Sequence, residues 1–311
     1  MAREDKLQRL ELVARLYHEE GLNQADIAKR LGVSRPFVSR MLSEAREVGI
    51  VEITIRSLAP AYLASLQRAK QVFGVQGGRL VGDAGEDALT NQWLGDAALE
   101  LVDDLGGGRL GLGWGQMIGV TVATLERRPA ARTRITDVAP LVGNRGVPIR
   151  NYHSNENTRV FAQQCKARPH FLHTPALAET RDELDLLKQT ANYRAVYAEW
   201  ERLDLALANI GNHPSTPDFA SVARYGTLLA RHRAVGRLIA YFFDQSGAII
   251  HSENDYAIQI PLEILEKCPR VIGLCAANVS PKALAGALRT GLITHLIAPR
   301  ATLDAALQRF G

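Results

Sequence analysis

From Ala61 onward the chain alternates short apolar runs with stretches of helical period, and this alternation limits the possible folds more than any other feature. The runs are Gly78-Arg79-Leu80-Val81, Arg109-Leu110-Gly111-Leu112, Ile135-Thr136-Asp137-Val138-Ala139, Leu205-Ala206-Leu207-Ala208, Val271-Ile272-Gly273-Leu274 and His295-Leu296-Ile297. Each is strand-sized, and the intervals between them are long enough for crossover helices. The pattern predicts an α/β domain with a mainly parallel sheet, Rossmann-like in its layering. In such sheets, ligands sit outside the carboxyl ends of the strands.

Residues 1–58 follow another rule, so a small N-terminal domain (1–58) and a large C-terminal one (59–311) are expected. Leu10, Val13, Ala14 and Tyr17 recur at helical spacing over Lys6–Glu20, and Gly21 supplies a stop. Asn23 offers an N-cap, with Asp26 three residues on, for a short helix that buries Ile27, Ala28 and Leu31. Gly32-Val33-Ser34 makes a tight corner, and Ser34 caps a third helix whose first turn tolerates Pro36. Val38, Met41, Leu42 and Ala45 form the inner stripe of that helix, which leaves Arg35, Pro36, Ser39, Arg40 and Ser43 outside.

Two helices joined by a glycine turn, the second with an Arg/Ser outer face, form a helix-turn-helix whose second helix enters the DNA major groove. Arg35 and Arg40 can reach guanine edges or phosphates, and Gln24, Ser34 and Ser39 suit backbone contacts. Charge supports this locally. Residues 1–60 hold ten Lys/Arg against nine Asp/Glu, yet Lys29 to Arg46 contains five basic residues and one acid. A small bundle with a solvated basic face is the plainer alternative. Ile50-Val51-Glu52-Ile53-Thr54-Ile55-Arg56 alternates with period two and predicts a strand, the wing of a winged helix, before a linker at Ser57–Pro60.

The net charge of +4 over 311 residues is too dilute to carry an argument of its own. The longest apolar runs, such as Leu238–Phe243, fall far short of the ~20 residues a membrane span needs, and the N-terminus lacks a signal-peptide core. A soluble, cytoplasmic protein with no membrane partner is expected. Cys165, Cys268 and Cys275 show neither disulfide nor zinc spacing, and His153, His170 and His173 show no metal-ligand spacing. No metal and no cofactor are expected.

One strand end stands out. Arg109–Leu112 runs into Gly113-Trp114-Gly115-Gln116-Met117 and then a helix near Ile118–Leu125, whose starting N–H groups can cradle an anion. This is no dinucleotide fingerprint, and its glycines can equally serve a tight turn. Asn155 and Asn157, Asp244 and Lys282 could converge on the loop with groups suited to hydroxyls and phosphate. Alternatively, the amides cap a helix beginning near Thr158, Asp244 starts the turn Asp244–Gly247, and Lys282 is a surface charge.

In combination, Leu22–Ala28 through Ser39–Leu42, Gly113–Gln116, Leu205–Gly211, Val235–Arg237 with Phe242–Gly247, and Lys282 through Leu288 to Ile297 resemble the SorC/DeoR-type sugar-responsive regulators over nearly the whole chain. The resemblance implies a C-terminal domain similar to the NagB/RpiA/CoA-transferase sugar-phosphate isomerase fold. It further implies a sugar, polyol or sugar-phosphate effector, a homodimer or homotetramer, and double-stranded operator DNA as partner. By the same resemblance, Gly113–Met117 form the phosphate-side loop, Asn155 and Asn157 contact the sugar, Asp244 accepts hydroxyls and Lys282 reaches an anionic group. Two departures matter: Met117 stands where the family commonly has threonine, and Ala277-Asn278 replaces a glycine pair. The first removes a hydroxyl from beside an expected phosphate and leaves a free sugar or polyol open.

Two other functions fit the same residues. An isomerase-like enzyme could use Lys282, Asp244 and Glu253 for proton transfer, although the attached reader helix argues for regulation. A DNA-binding protein whose C-terminal domain only oligomerises is the other.

Overall fold

A computed structural model describes residues 2–52, 60–127, 134–145, 153–215 and 221–311. The chain divides into two compact units, Met1–Leu58 and Ala59–Gly311.

In the first unit, helices α1 (Ala2–His18), α2 (Gln24–Leu31) and α3 (Arg35–Glu47) close around Leu10, Val13, Leu16, Ile27, Val38, Leu42 and Ala45. The caps are those the residue types favour. Asn23 Oδ1 accepts the Ala25 and Asp26 amides at 2.9 and 3.0 Å, while its Nδ2 donates to Asp26 Oδ2 at 2.6 Å. Gly32 ends α2 in the left-handed region at φ 65°, which a β-carbon would strain, and Ser34 Oγ accepts the Phe37 amide at 3.4 Å. One expectation fails: Tyr17 is 38% exposed and Leu16 takes its place in the core. The Leu22 amide bonds back to Leu16 O at 3.0 Å, which draws the interhelix turn over Leu16, and Tyr17 stays at the rim, edge-on to His18. Of the predicted wing strand, residues 53–56 lie outside the described residues, as does most of the linker. Ile50, Val51 and Glu52 are described and take no regular secondary structure.

The second unit begins with α4 (Pro60–Phe73), β1 (Gly77–Val81), α5 (Asp87–Asp104), β2 (Gly108–Leu112) and α6 (Gln116–Arg127). It continues through β3 (Ile135–Pro140), α7 (Ser154–Cys165), β4 (Arg168–Pro169), α8 (Arg181–Lys188), α9 (Ala191–Trp200) and β5 (Leu205–Asn212). Then follow α10 (Ser221–Tyr225), α11 (Leu228–Arg231), β6 (Gly236–Leu238), β7 (Tyr241–Phe243) and α12 (Leu262–Leu265). The chain finishes with β8 (Val271–Cys275), α13 (Pro281–Arg289), β9 (His295–Pro299) and α14 (Arg300–Phe310). All six predicted strands form.

The sheet order is β1-β9-β8-β5-β2-β3-β4, parallel throughout, with the β6–β7 hairpin attached antiparallel to β5. Strands this buried need apolar residues on both faces, and β8 and β9 are buried at every position. β2 and β5 are neighbours, yet the chain leaves β2 toward β3 on one side and β5 toward β8 on the other. Their shared carboxyl edge is therefore the topological switch point, where an open α/β sheet leaves a crevice. Ile210 pairs with Cys275 of β8 and also with Leu238 of β6. So β6 takes over, beyond Leu207, the edge of β5 that β2 occupies up to that residue. No helix among the described residues is long and apolar enough to cross a membrane.

Candidate DNA interface and effector crevice

α3 presents two faces. Val38, Met41, Leu42 and Ala45 are buried as their spacing predicts, while Arg35, Pro36, Ser39 and Arg40 are exposed and Ser43 is half-buried. Gln24 is the half-buried first residue of α2, and the Ser34 hydroxyl caps α3. The basic cluster is not uniform in what it offers a ligand. Arg30 pairs with Glu20 at 3.1 Å, and Arg46 folds onto its own helix, donating to Leu42 O at 3.3 Å and Ser43 Oγ at 3.5 Å. Arg35 and Arg40 pair with no acid among the described residues, so their guanidinium groups meet solvent. Phe37, which the sequence reading passed over, is 44% exposed beside them. Its place outside the 38/41/42/45 stripe is the signal that could have found it.

At the switch point the glycines are required by close approach. The Gly113 amide bonds Leu207 O at 2.9 Å, and a β-carbon there would stand 2.9 Å from that same oxygen. Gly115 has φ 105°, and a β-carbon on it would sit 3.3 Å from Cγ and Nδ2 of Asn209. Trp114 is buried, its Nε1 donating to Ile239 O at 3.4 Å, which ties the loop to the tip of the β6–β7 hairpin. Gln116 is exposed at the start of α6. Met117 is 0% exposed and packs into the core.

Two further residues complete this edge, neither singled out from the sequence, although both lie in stretches that carry the family resemblance. Asn209, on β5, places Oδ1 in a buried position with no hydrogen-bond partner among the described residues. Arg237, on β6, is 6% exposed and lies over Gly211.

The remaining candidates are dispersed. α7 starts at Ser154, four residues earlier than expected, so Asn155 and Asn157 lie in its first turn rather than capping it. Asn155 clasps the backbone of Leu172, accepting its amide at 3.0 Å and donating to its carbonyl at 3.1 Å. Asn157 is fully buried. Asp244 closes its own turn: Oδ1 accepts Ser246 Oγ at 2.6 Å and the Ser246 and Ala248 amides at 2.8 and 3.1 Å. Burial pushes this carboxyl up, but those donors outweigh it and hold the pKa below the usual aspartate value. Lys282 is exposed in the first turn of α13, beyond the carboxyl end of β8. Asn212 fixes that turn by donating to Asn278 O at 2.9 Å and accepting the Ser280 amide at 2.9 Å. The loop, Asn209 and Arg237 thus come together, Lys282 sits at a neighbouring strand end, and Asp244 and Asn155 have structural work.

His170, which has no metal-ligand spacing in sequence, joins a polar cluster toward the amino ends of β2 and β3. Its Nε2 lies 3.0 Å from Asp137 Oδ1 and 3.9 Å from Glu199 Oε2. One ligand atom from each of the three falls within 4.8 Å of the others, as a cation would require. Arg109 Nε, however, lies 3.3 Å from Glu199 Oε2 and 4.0 Å from Asp137 Oδ2, and Arg202 pairs with the other Glu199 oxygen. Guanidinium groups already supply the compensating charge. Burial raises the Asp137 carboxyl, while hydrogen bonds from His170 and Thr136 and the nearby positive charges of His170 and Arg109 more than reverse this.

Comparison with known proteins agrees with both halves of this architecture. Residues 61–308 match the family "Putative sugar-binding domain", and residues 3–57 match the homeodomain-like domain family. The sorbitol operon regulator of Klebsiella pneumoniae is 29% identical over 321 aligned positions, covering 99% of this chain and 100% of its own. The deoxyribonucleoside regulator of Bacillus subtilis strain 168 is 25% identical, over 91% and 92% of the two chains. The crystal structure of the full-length sorbitol operon regulator SorC from Klebsiella pneumoniae superposes with a TM-score of 0.78, at 27% identity, over 96% of this chain and 98% of that one. With a sugar-binding domain spanning four-fifths of its length behind a helix-turn-helix, the chain belongs to the SorC/DeoR-type family of transcriptional regulators.

Proposed function

We propose that this protein controls a carbohydrate or polyol catabolic operon, and that a small sugar, polyol or sugar-phosphate effector in the switch-point crevice modulates its grip on operator DNA. The observation that carries the reading is the loop at the topological switch point, where ligands of such sheets sit. Gly113 and Gly115 let it approach β5 closely, beside an Asn209 amide oxygen that has no partner among the described residues. A crevice of this kind supports ligand binding better than proton transfer. Asp244 is engaged in its turn, while Glu253 and Lys282 are exposed on separate segments. The reading therefore needs neither catalysis nor a cofactor, and it places the protein in the cytoplasm with its DNA.

On the DNA side, Arg35 and Arg40 are the base or phosphate readers, Pro36, Phe37, Ser39 and Ser43 shape the same face, and Gln24 and Ser34 approach the backbone. On the effector side, the residues are Gly113, Trp114, Gly115, Gln116 and the Met117 amide, joined by Asn209. Lys282 borders the site, while Asn155 and Asp244 are held in contacts of their own with Leu172 and the Ser246–Ala248 turn, and Asn157 is buried in α7. A homodimer or homotetramer would present paired α3 helices to a palindromic or repeated operator, and effector would shift the population between arrangements that fit its half-sites differently.

The test uses full-length protein and an operator selected from random DNA. Sugars, polyols and their phosphates that raise the melting temperature should also change operator affinity at fixed salt. A ligand that stabilises the protein but leaves affinity and footprint unchanged would contradict the switch. No stabilisation across the panel would favour a purely oligomerising domain.

A further inference from the structure

We infer that Phe37 is a specificity determinant of the DNA interface and that it reads the 5-methyl group of a thymine in each operator half-site. The inference rests on the DNA reading above and adds to it a residue and the base feature that residue selects.

Position sets the geometry. The Ser34 hydroxyl accepts the Phe37 amide at 3.4 Å, so Phe37 lies in the first turn of α3, the end from which a recognition helix reaches base edges. Helical side chains lean toward the amino terminus of their own helix, which carries the ring further toward that end. Phe37 lies outside the apolar cluster that fills the unit. Exposure alone would not single it out, since lone exposed apolar side chains are common. Of the other exposed ones in this unit, however, Leu7, Leu12 and Tyr17 lie on α1 and Val48 beyond the end of α3, whereas Phe37 stands between Arg35 and Arg40. Arg40, three residues along, and Glu44, seven along, share its flank of the helix. Arg40 is exposed, and Glu44 is half-buried and paired with Lys6 of α1. That flank therefore meets DNA with a guanidinium and an acid whose charge is already compensated.

The chemistry of the ring narrows what it can recognise. Arg35, Ser39, Arg40 and Ser43 carry hydrogen-bonding groups that suit phosphates or base edges. Phe37 carries none, so it gains only by removing apolar surface from water. In the major groove, the apolar group that base pairs present is the C5-methyl of thymine. The minor groove is about 6 Å wide and does not admit a helix, so a ring on α3 meets base edges from the major groove rather than wedging between base steps. A phenyl ring held between two arginines thus has its match in a thymine methyl, with the guanidinium groups supplying the attraction to the backbone.

The test is a competition anisotropy titration of the full-length protein on an operator selected from random DNA. Each thymine is replaced in turn by deoxyuridine, which keeps every hydrogen-bonding group and lacks only the methyl. The expected result is one thymine in each half-site at which the replacement weakens binding about fourfold, the effect of burying one methyl-sized group. Phe37→Ala should weaken binding to the unmodified operator and bind its thymine and deoxyuridine forms equally, and Phe37→Leu should retain part of the preference. Wild-type protein that binds its operator and distinguishes no thymine from deoxyuridine, or a distinction that survives unchanged in Phe37→Ala, would overturn this inference and leave the DNA reading intact. Half-sites that contain no thymine would do the same. Failure to select any operator would overturn both. If Phe37→Ala fails to fold cooperatively, the wild-type deoxyuridine scan and Phe37→Leu still decide.

Discussion

The proposed DNA-reading face and the proposed effector crevice are assembled in opposite ways. Every residue of the first lies within Gln24–Ser43, on two helices and the corner between them. The second draws on Gly113–Gln116, Asn209 and Arg237, which lie on different strands and meet only because β5 and β6 are laid beside β2. A local site is bounded by helical period and caps, so its variants should act on one function. A site assembled by topology depends on close backbone approach, and its most sensitive residues are glycines that make no polar side-chain contact.

The largest expected effect breaks the local site from within. Val38→Asp would bury an unpaired carboxylate at a fully buried position of the first unit, at a cost of at least about 3 kcal/mol. Operator binding should vanish in a gel-shift assay, while the calorimetric response of the second unit to effector persists. Gly115→Val attacks the assembled site. A β-branched residue at φ 105° carries roughly 1–3 kcal/mol of strain and crowds Asn209. Titration should show effector affinity reduced by at least about tenfold, with operator affinity in effector-free buffer within twofold of wild type.

Smaller effects sharpen the comparison. Arg40→Ala should weaken operator binding by about 1–3 kcal/mol and relax sequence preference at one base pair if it reads a base, measured by anisotropy against single-position operator variants. Uniform weakening across sequences would assign it to phosphate. Asn23→Ala removes the cap of α2 and should cost about 1 kcal/mol in chemical denaturation of the first unit. The smallest effect concerns the amino edge of the sheet. The pKa of Asp137 is depressed in the folded protein, so the folded state gains stability from its ionised form. That contribution is complete above the unfolded aspartate pKa and fades as pH falls through the lower folded value. Asp137→Asn should therefore flatten the acid limb of the stability–pH profile and leave its slope above neutrality unchanged.

Legibility followed the same division. The α2–α3 corner could be read to the residue, because Asn23, Gly32 and Ser34 act through their own backbone neighbours. The parallel strands were equally plain, since burial on both faces demands continuous apolar runs. Tyr17 misled because a helical stripe does not reveal which edge position a later turn will cover. Asn155 and Asp244 carry polar groups suited to a sugar, and sequence cannot show that Leu172 and Ser246 already engage them. Arg237 and Asn209 were passed over for the complementary reason. An arginine next to a glycine looks like a surface charge until strand register lays it across another glycine more than twenty residues away. His170 likewise shows no partner spacing in sequence, because Asp137 and Glu199 reach it from another strand and from a helix.

The central claim is that a ligand in the crevice changes how the α3 face holds DNA. Operator affinity of the full-length protein, measured at one salt concentration with and without a saturating stabilising ligand, tests it most directly. The account predicts a change of at least about fivefold, in line with ordinary coupling energies, that disappears in Gly115→Val. Equal affinity in both conditions, for a ligand shown by titration to occupy the site, would contradict it.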